Sequence, residues 1–520
     1  MIFYAQETWI ALGIASLPAI ASAYLYFHTD QKKIALGLLM LSALLLRLVM
    51  ISLDPFVHEW DERYHALVAK NMVSNPFKPM LVVHPILAYD MLDWSNNHIW
   101  VHKQPLFLWQ MAASMKLFGI NEIALRLPSA IMSTLLVWLT YDLCRNWIPN
   151  QNSIAYIAAF LTAFSGYTLG LVSGYVSLEH NDLAFVFYVT CSFWAWTKYI
   201  HEKYSLKWAI LTGVFVGLAV LNKWLTGYLI FGGWGLYLLL TYGLKIKWQH
   251  IWHIALAFIV SVAVFLPWQL YIFQAFPTES AISYQYNVDH INDALGHPGN
   301  VWTHILFLES AYQKYILVLG IIGLIAIWRL RDVNKKMTLS FLAMITVIFA
   351  FFSIIVKTKM PAFVFPVSAF FFCFFAVGVY VTSKWVAEPW QESPKIRNTI
   401  FLSSTLLMAL LCFKPWDIAS FRSETNAYRN AKIHNTQIYE NLPDSITQDY
   451  VIINCKSFEN VELMFHKDAK AYHWYPAEQV IDSLQNLGYK FAAFRNTPNQ
   501  GLPPYILEDS QIVLLEADIK

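Results

Sequence analysis

The sequence predicts an all-α polytopic membrane protein that ends in a small soluble α/β domain, and three observations predict it. Of 520 residues, 57% are hydrophobic and only 13% are charged, about half the roughly 25% charge of a soluble globular chain. Apolar runs near the roughly 20 residues that a helix needs to cross about 30 Å of hydrocarbon recur along the chain. Beyond residue 415 the composition turns polar. Lipid offers no partner to an open backbone, so the apolar runs are read as helices, which satisfy their own N–H and C=O groups.

Twelve candidate spans follow in order: 9–27, 34–53, 127–145, 154–174, 183–201, 208–222, 225–241, 251–272, 315–330, 338–356, 362–382 and 399–414. The first lacks a cationic leader and a cleavage site, so it is expected to be a retained span. Between the second and third spans lies a long polar segment, 54–126. Its stretches 61–73 and 104–118 are amphipathic and aromatic and are expected to lie along the membrane surface, with Phe107, Trp109 and Phe118 at headgroup level. In the tail, 451–454 reads as a strand, 477–487 as a helix ended by Gly488, and 512–516 as a strand. The chain thus divides into a membrane domain, 1–415, and a soluble domain, 416–520.

Basic residues favour one set of connections. Lys32 and Lys33, Arg145, Lys203 and Lys207, Lys245 and Lys247, the run from Arg329 to Lys336, then Lys384, Lys395 and Arg397 all fall on it. Positive charge marks cytoplasmic loops. Both termini and segments 54–126, 273–314 and 415–520 are then expected on the outer side of a cytoplasmic (inner) membrane, facing the periplasm. A net charge of +2 makes no case for nucleic acid. The five cysteines show no paired spacing and read as inert buried thiols.

Four polar clusters sit at predicted outer ends of spans: His58 to Tyr64, His102 to Leu106, Glu179 to Asp182, and Lys357 to Pro361. Each alone is ordinary, since acids solvate loops and a Lys before a Pro often just opens a helix. Their convergence on one face is what points to chemistry. An intramembrane transporter or lipid flippase would place ionisable groups near the bilayer midplane and often shows repeated halves; this chain has its acids at span ends and no duplicated halves. A non-catalytic membrane scaffold would leave the acid and Lys motifs of the first loop without a role.

The ordered run Asp61-Glu62-Arg63-Tyr64, then Lys103-x-Pro105-Leu106-x-x-Trp109, then Leu117-Phe118-Gly119-x-Asn121-Glu122-x-Ala124-x-Arg126-Leu127-Pro128-Ser129 resembles the lipid-phosphate-dependent glycosyltransferases of the GT-C type. Within that class it is most similar to the aminoarabinose (lipid A) transferases and the wider protein O-mannosyltransferase superfamily. Gly217-Leu218-Ala219-x-Leu221-x-Lys223, and Lys359-Met360-Pro361 followed by Phe365-Pro366, extend the resemblance over roughly 34–385. The chain departs where it has His102-Lys103-Gln104-Pro105 in place of the usual Glu-Lys-Pro-Pro.

The resemblance implies transfer of a sugar from a polyprenyl-phosphate donor to a lipid A, glycan or protein acceptor, with inversion in a single displacement. It implies Asp61, Glu62 and Asp182 as catalytic acids, and Lys103, Arg126 and Lys359 as cations on the donor phosphate. If a divalent metal ion takes part, His102 and His290 are its expected ligands. The chemistry is coherent: a carboxylate deprotonates or orients an acceptor hydroxyl, and preplaced cations stabilise a departing phosphate. Lys serves there as a point charge and Arg as a bidentate fork.

Overall fold

The structure, a computed structural model, describes residues 2–175, 180–456, 458–496 and 501–520. It opens with a helical hairpin, α1 (Ala5–His28) and α2 (Lys32–Ser52). Ala15, Ala19 and Ala23 of α1 and Ala35 and Ala43 of α2 are buried, and such small residues let two helices approach closely without a hydrophobic drive from water. Ser42 Oγ donates to the Ala15 carbonyl at 2.6 Å and stitches the pair.

The segment after α2 holds helices at the two expected places, α3 (Asp61–Met72) and α4 (Pro105–Phe118). Trp109 is partly buried, Phe118 is exposed and Phe107 is buried. Helices α5 (Glu122–Trp147), α6 (Asn152–Ala163), α7 (Gly166–Ser173) and α8 (His180–His201) follow, with a 42° bend between α6 and α7. Next come α9 (Leu206–Lys223), α10 (Leu229–Tyr242), α11 (Trp248–Ala275) and α12 (Pro277–Asn292). Tyr204, ahead of α9, and Tyr242, at the end of α10, hydrogen-bond through their hydroxyls. Helices α9 and α10 therefore run in opposite directions, and the chain reverses at 224–228.

Helices α13 (Thr303–Tyr312) and α14 (Lys314–Ala326) meet at 109°. Helices α15 (Lys335–Ala350), α16 (Ser368–Val386), α17 (Pro394–Phe413) and the short α18 (Pro415–Phe421) complete the bundle. Where α14 crosses α16, a Cβ on Gly323 would sit 2.0 Å from the Phe374 carbonyl oxygen and one on Gly378 1.9 Å from that of Leu319, so only glycine permits this contact.

Among the described residues, eight helical stretches are long and apolar enough to cross a membrane, and ten are if each bent pair is one span. The sequence reading expected twelve, and the difference has two sources. Helix α8 opens on His180-Asn181-Asp182 and is too polar to pass on composition, and 206–242 passes as one stretch although it folds back on itself.

The tail is α/β. Helices α19 (Ala427–Asn441), α20 (Asp444–Asp449), α21 (Glu459–His466), α22 (Glu478–Asn486) and α23 (Pro504–Leu507) accompany strands β1 (Tyr450–Ile453), β2 (Lys470–Ala471), β3 (Lys490–Asn496) and β4 (Ile512–Asp518). The strands form one parallel sheet in the order β2-β1-β3-β4, with Val451 beside Phe491 and Ala492 beside Val513. Sequence reading missed β2 and β3. Strand β3 buries Phe491, Ala492, Ala493 and Phe494 alike, as a central parallel strand covered on both faces does, so it shows no alternation, and alanine is a poor strand signal.

The two termini share one end of the bundle, where the Arg429 guanidinium lies 5.7 Å over the Tyr4 ring. The basic connections gather at the other end: the Lys336 ammonium donates to the Tyr204 hydroxyl, and Asn334 N–H to the Trp147 carbonyl. All five cysteines are free and buried.

Candidate active site

Asp61 and Glu62 open α3, where acids complement the positive end of a helix. Successive helical positions are turned about 100° apart, and the two carboxylates enter different surroundings. Glu62 points into the bundle and is sealed there. Arg126 grips it with both arms of its fork, Nε to Oε1 at 2.7 Å and Nη2 to Oε2 at 2.9 Å. His180 Nε2 meets Oε1 at 2.9 Å, and the His58 amide donates to Oε2 at 2.6 Å. Arg126 spends its remaining donors on the Asp54 and Phe56 carbonyls, at 2.8 and 2.6 Å. Burial alone would raise the Glu62 pKa, but Arg126 and His180 outweigh it and hold the carboxyl well below the ordinary range.

A second sealed acid lies alongside. Asp54 accepts from Arg429 Nε at 2.9 Å and from Arg422, and His58 stands 3.6 Å away. Both arginines come from the tail, which docks here. Arg63 of α3 reaches Glu462 of α21 at 3.3 Å, and Lys432 bridges Glu462 and Glu459.

Asp61 turns the other way. Its side chain keeps 23% of its surface, and its Oδ1 lies 3.3 Å from the Lys103 ammonium, itself 19% exposed. Asp182, at the start of α8, pairs with Lys223 at the end of α9. Lys223 also sits 5.1 Å over the Phe363 ring. A polar chain links the two pairs. Gln104, next to Lys103, accepts from Gln269 at 2.7 Å; Gln269 accepts from Tyr284; and the Tyr284 ring lies 4.4 Å from that of Trp224, next to Lys223. On the other side, Glu62 and His180 tie the start of α3 to the start of α8. The two Asp–Lys pairs thus belong to one closed ring of contacts, at the end of the bundle where α3 and α8 begin.

The other expected site residues lie elsewhere. Glu62 and Arg126, read as an acid and a phosphate cation, are bound to each other in a buried network with no free face. Lys359, expected on the donor phosphate, is almost wholly buried and folds back to cap a helix end: its ammonium donates to the carbonyls of Phe352 at 2.8 Å, Ser353 at 3.0 Å and Val356. Cations suit that end because the last carbonyls there are otherwise unpaired.

The His102 ring stacks 4.9 Å from Trp94, and Tyr286 stands 4.9 Å from His102 and 5.0 Å from His290. His290 Nδ1 lies 3.1 Å from the Thr358 hydroxyl. Among the described residues no group of three or more His, Cys, Asp or Glu is placed to hold a metal ion. Glu179 lies outside the described residues.

Lys223 was visible only as the end of a motif; a lysine closing an apolar run at the same end as Asp182 was the available signal. Arg422 and Arg429 gave none, because nothing local marks a tail residue as the partner of Asp54.

Residues 102–271 match the family model described as dolichyl-phosphate-mannose-protein mannosyltransferase. The undecaprenyl phosphate-alpha-4-amino-4-deoxy-L-arabinose arabinosyl transferase of Enterobacter sp. (strain 638) is 27% identical over 327 residues, 60% of this chain. The chain spans 55% of that relative's length. In fold it is similar to ArnT from Cupriavidus metallidurans bound to undecaprenyl phosphate, with a TM-score of 0.64 at 14% identity over 87% of this chain and 88% of that one. It is similar also to the Archaeoglobus fulgidus oligosaccharyltransferase, with a TM-score of 0.54 at 14% identity over 87% of this chain and 65% of that one. The chain resembles the GT-C glycosyltransferases and has their membrane-embedded fold.

Proposed function

We propose that this chain is a membrane glycosyltransferase that moves a sugar from a polyprenyl phosphate to an acceptor at the membrane face bearing Asp61. The observation that carries the reading is the open Asp61–Lys103 pair, in one ring of contacts with Asp182–Lys223. Asp61 accepts the proton of the acceptor hydroxyl as its oxygen attacks the anomeric carbon. The bond from that carbon to the phosphate oxygen breaks, and the lipid phosphate leaves with the electron pair. Lys103 and Lys223 stabilise the negative charge gathering there. An incoming phosphate competes with Asp61 for Lys103, so donor binding frees the carboxylate for its role as base. Attack from the face opposite the leaving group inverts the anomeric centre.

The relatives' names support a polyprenyl-phosphate carrier with 4-amino-4-deoxy-L-arabinose or mannose as the sugar; the sequence resemblance adds lipid A, a glycan or a protein as the acceptor. The charge asymmetry of the connections supports a cytoplasmic-membrane location with the site facing outward. The test uses the purified full-length chain in lipid nanodiscs with polyprenyl-phosphate donors carrying 4-amino-arabinose or mannose. Release of lipid phosphate that requires an added acceptor is expected with one of them. No release from either donor, with lipid A, glycan and protein acceptors each supplied, would reject the reading.

A further inference from the structure

At the end of the bundle away from Asp61, a cavity of about 490 Å³ opens between the α1–α2 turn and the α16–α17 connection, a size typical of small-ligand sites at roughly 300–1,000 Å³. Three cations line it, each from a different helix. Lys32 begins α2, Lys384 lies in the last turn of α16, and Arg397 lies in the first turn of α17. Asp30 is the one acid in the lining, so positive charge is in excess. Lys384 and Arg397 form no ion pair among the described residues.

Helices α2 and α17 begin at this cavity while α1 and α16 end there, so the helix dipoles offset one another and the excess positive charge rests on the side chains. Lys32 is held in place by the Tyr26 carbonyl and sits 4.7 Å over the Tyr26 ring. The cavity is walled by rings: Phe27 lies 6.0 Å and Tyr380 5.4 Å from Phe401. Away from it, α1 exposes Ile14, Leu17 and Ile20, and the adjoining α17 exposes Leu407 and Leu410. Cations that only set orientation need not converge, since any position on the connection serves. These three share one cavity with an apolar surface leading out of it.

We propose that this cavity binds the phosphate headgroup of an anionic glycerophospholipid, with the acyl chains laid along α1 and α17. Lys32, Lys384 and Arg397 surround the phosphate oxygens, and the aromatic wall lies at the depth of the glycerol. The bound lipid adds to the His28–Thr399 hydrogen bond and the Phe27–Phe401 ring contact that already join the α1–α2 hairpin to the α16–α17 pair. The site is independent of the sugar-transfer reading and lies at the opposite end of the protein.

The experiment titrates the detergent-solubilised full-length protein with phosphatidylglycerol, with phosphatidylcholine of the same chains, and with inorganic phosphate. Native mass spectrometry counts retained lipid, and thermal unfolding measures stabilisation. Phosphatidylglycerol is expected to be retained and to raise Tm, with phosphatidylcholine and inorganic phosphate doing neither. The double variant K384Q/R397Q is expected to lose retention about tenfold or more, and K384R/R397K, which keeps the charge, to retain lipid and so exclude a folding defect. Equal effects of the two lipids, or wild-type retention in K384Q/R397Q, would overturn the proposal. Full stabilisation by inorganic phosphate alone would overturn its lipid part and assign the cavity to a soluble phosphate.

Discussion

Two neighbouring regions at the mouth of the bundle use the same residue types to opposite ends. Beneath α3, Glu62, Arg126, His180, Asp54, Arg422 and Arg429 form a dry ionic network in which each charge is met. Beside it, Asp61 with Lys103 and Asp182 with Lys223 form pairs whose lysines remain partly open. A buried pair needs near-complete hydrogen bonding to offset lost hydration; the Arg126 fork supplies it for Glu62, while Arg422 Nε and Arg429 Nη1 are buried without a partner. An open lysine gives up little to change partners. The first region therefore holds the frame, and the second keeps part of its charge at the surface, where a substrate can reach it. Asp61 and Glu62 are consecutive residues, so polarity and position in the chain do not separate the roles; burial does.

The comparison breaks most plainly at Asp61. Asp61→Asn should cut turnover roughly 10²–10⁴-fold, the usual worth of a general base, and leave Tm within about a degree of wild type. A variant that transfers sugar at near wild-type rates would place the base elsewhere. Arg126→Met should do the reverse. It strands the Glu62 carboxylate in a dry site and should cost roughly 3–5 kcal/mol of stability, seen as a large fall in Tm. The double variant Glu62→Gln/Arg126→Met removes the stranded charge and should recover part of that loss. If Arg126→Met keeps its Tm and instead loses donor binding, the sealed region is part of the site after all.

A smaller effect sharpens the open region. Lys103→Ala should weaken donor binding about tenfold or more, as the loss of a charge-assisted contact does, with Lys103→Arg restoring part of it. Equal donor affinity in Lys103→Ala, measured by competition with polyprenyl phosphate, would leave the phosphate to Lys223.

The smallest expected effect is a pH dependence where the tail meets α3. Burial, with Glu459 alongside, pushes Glu462 up to about 7 despite Lys432 and Arg63, and its Oε2 is buried without a hydrogen-bond partner. The fold thus favours the protonated acid. Its contribution is full below the unfolded value of about 4.5 and is lost as pH rises through about 7. Wild type should gain a few degrees in Tm over Glu462→Gln as pH falls from 8 to 6 (about 1 kcal/mol moves Tm by a few degrees). Burial lowers His466 and His473, whose effects run the other way below about 6.5, so the difference between the two proteins is the readout. A constant difference across that range would mean Glu462 stays ionised.

Hydropathy marked the membrane helices because crossing lipid is a property of a continuous run, and each such run carries its own evidence. The two helices of the first long loop were legible as helices: α3 and α4 were expected over 61–73 and 104–118 and occupy Asp61–Met72 and Pro105–Phe118. Charge bias in the connections likewise foretold which ends of the helices gather together. The bent helices, the buried strand β3 and the division of labour among the charged residues were not legible. Glu62 meets Arg126 across 64 positions, Asp54 meets Arg429 across 375, and Lys359 turns back to its own helix end instead of toward the mouth. What a run of residues needs from its solvent can be read from its composition, but whether a charge is sealed or open depends on which distant side chain packs against it, and that contact forms only when the chain folds.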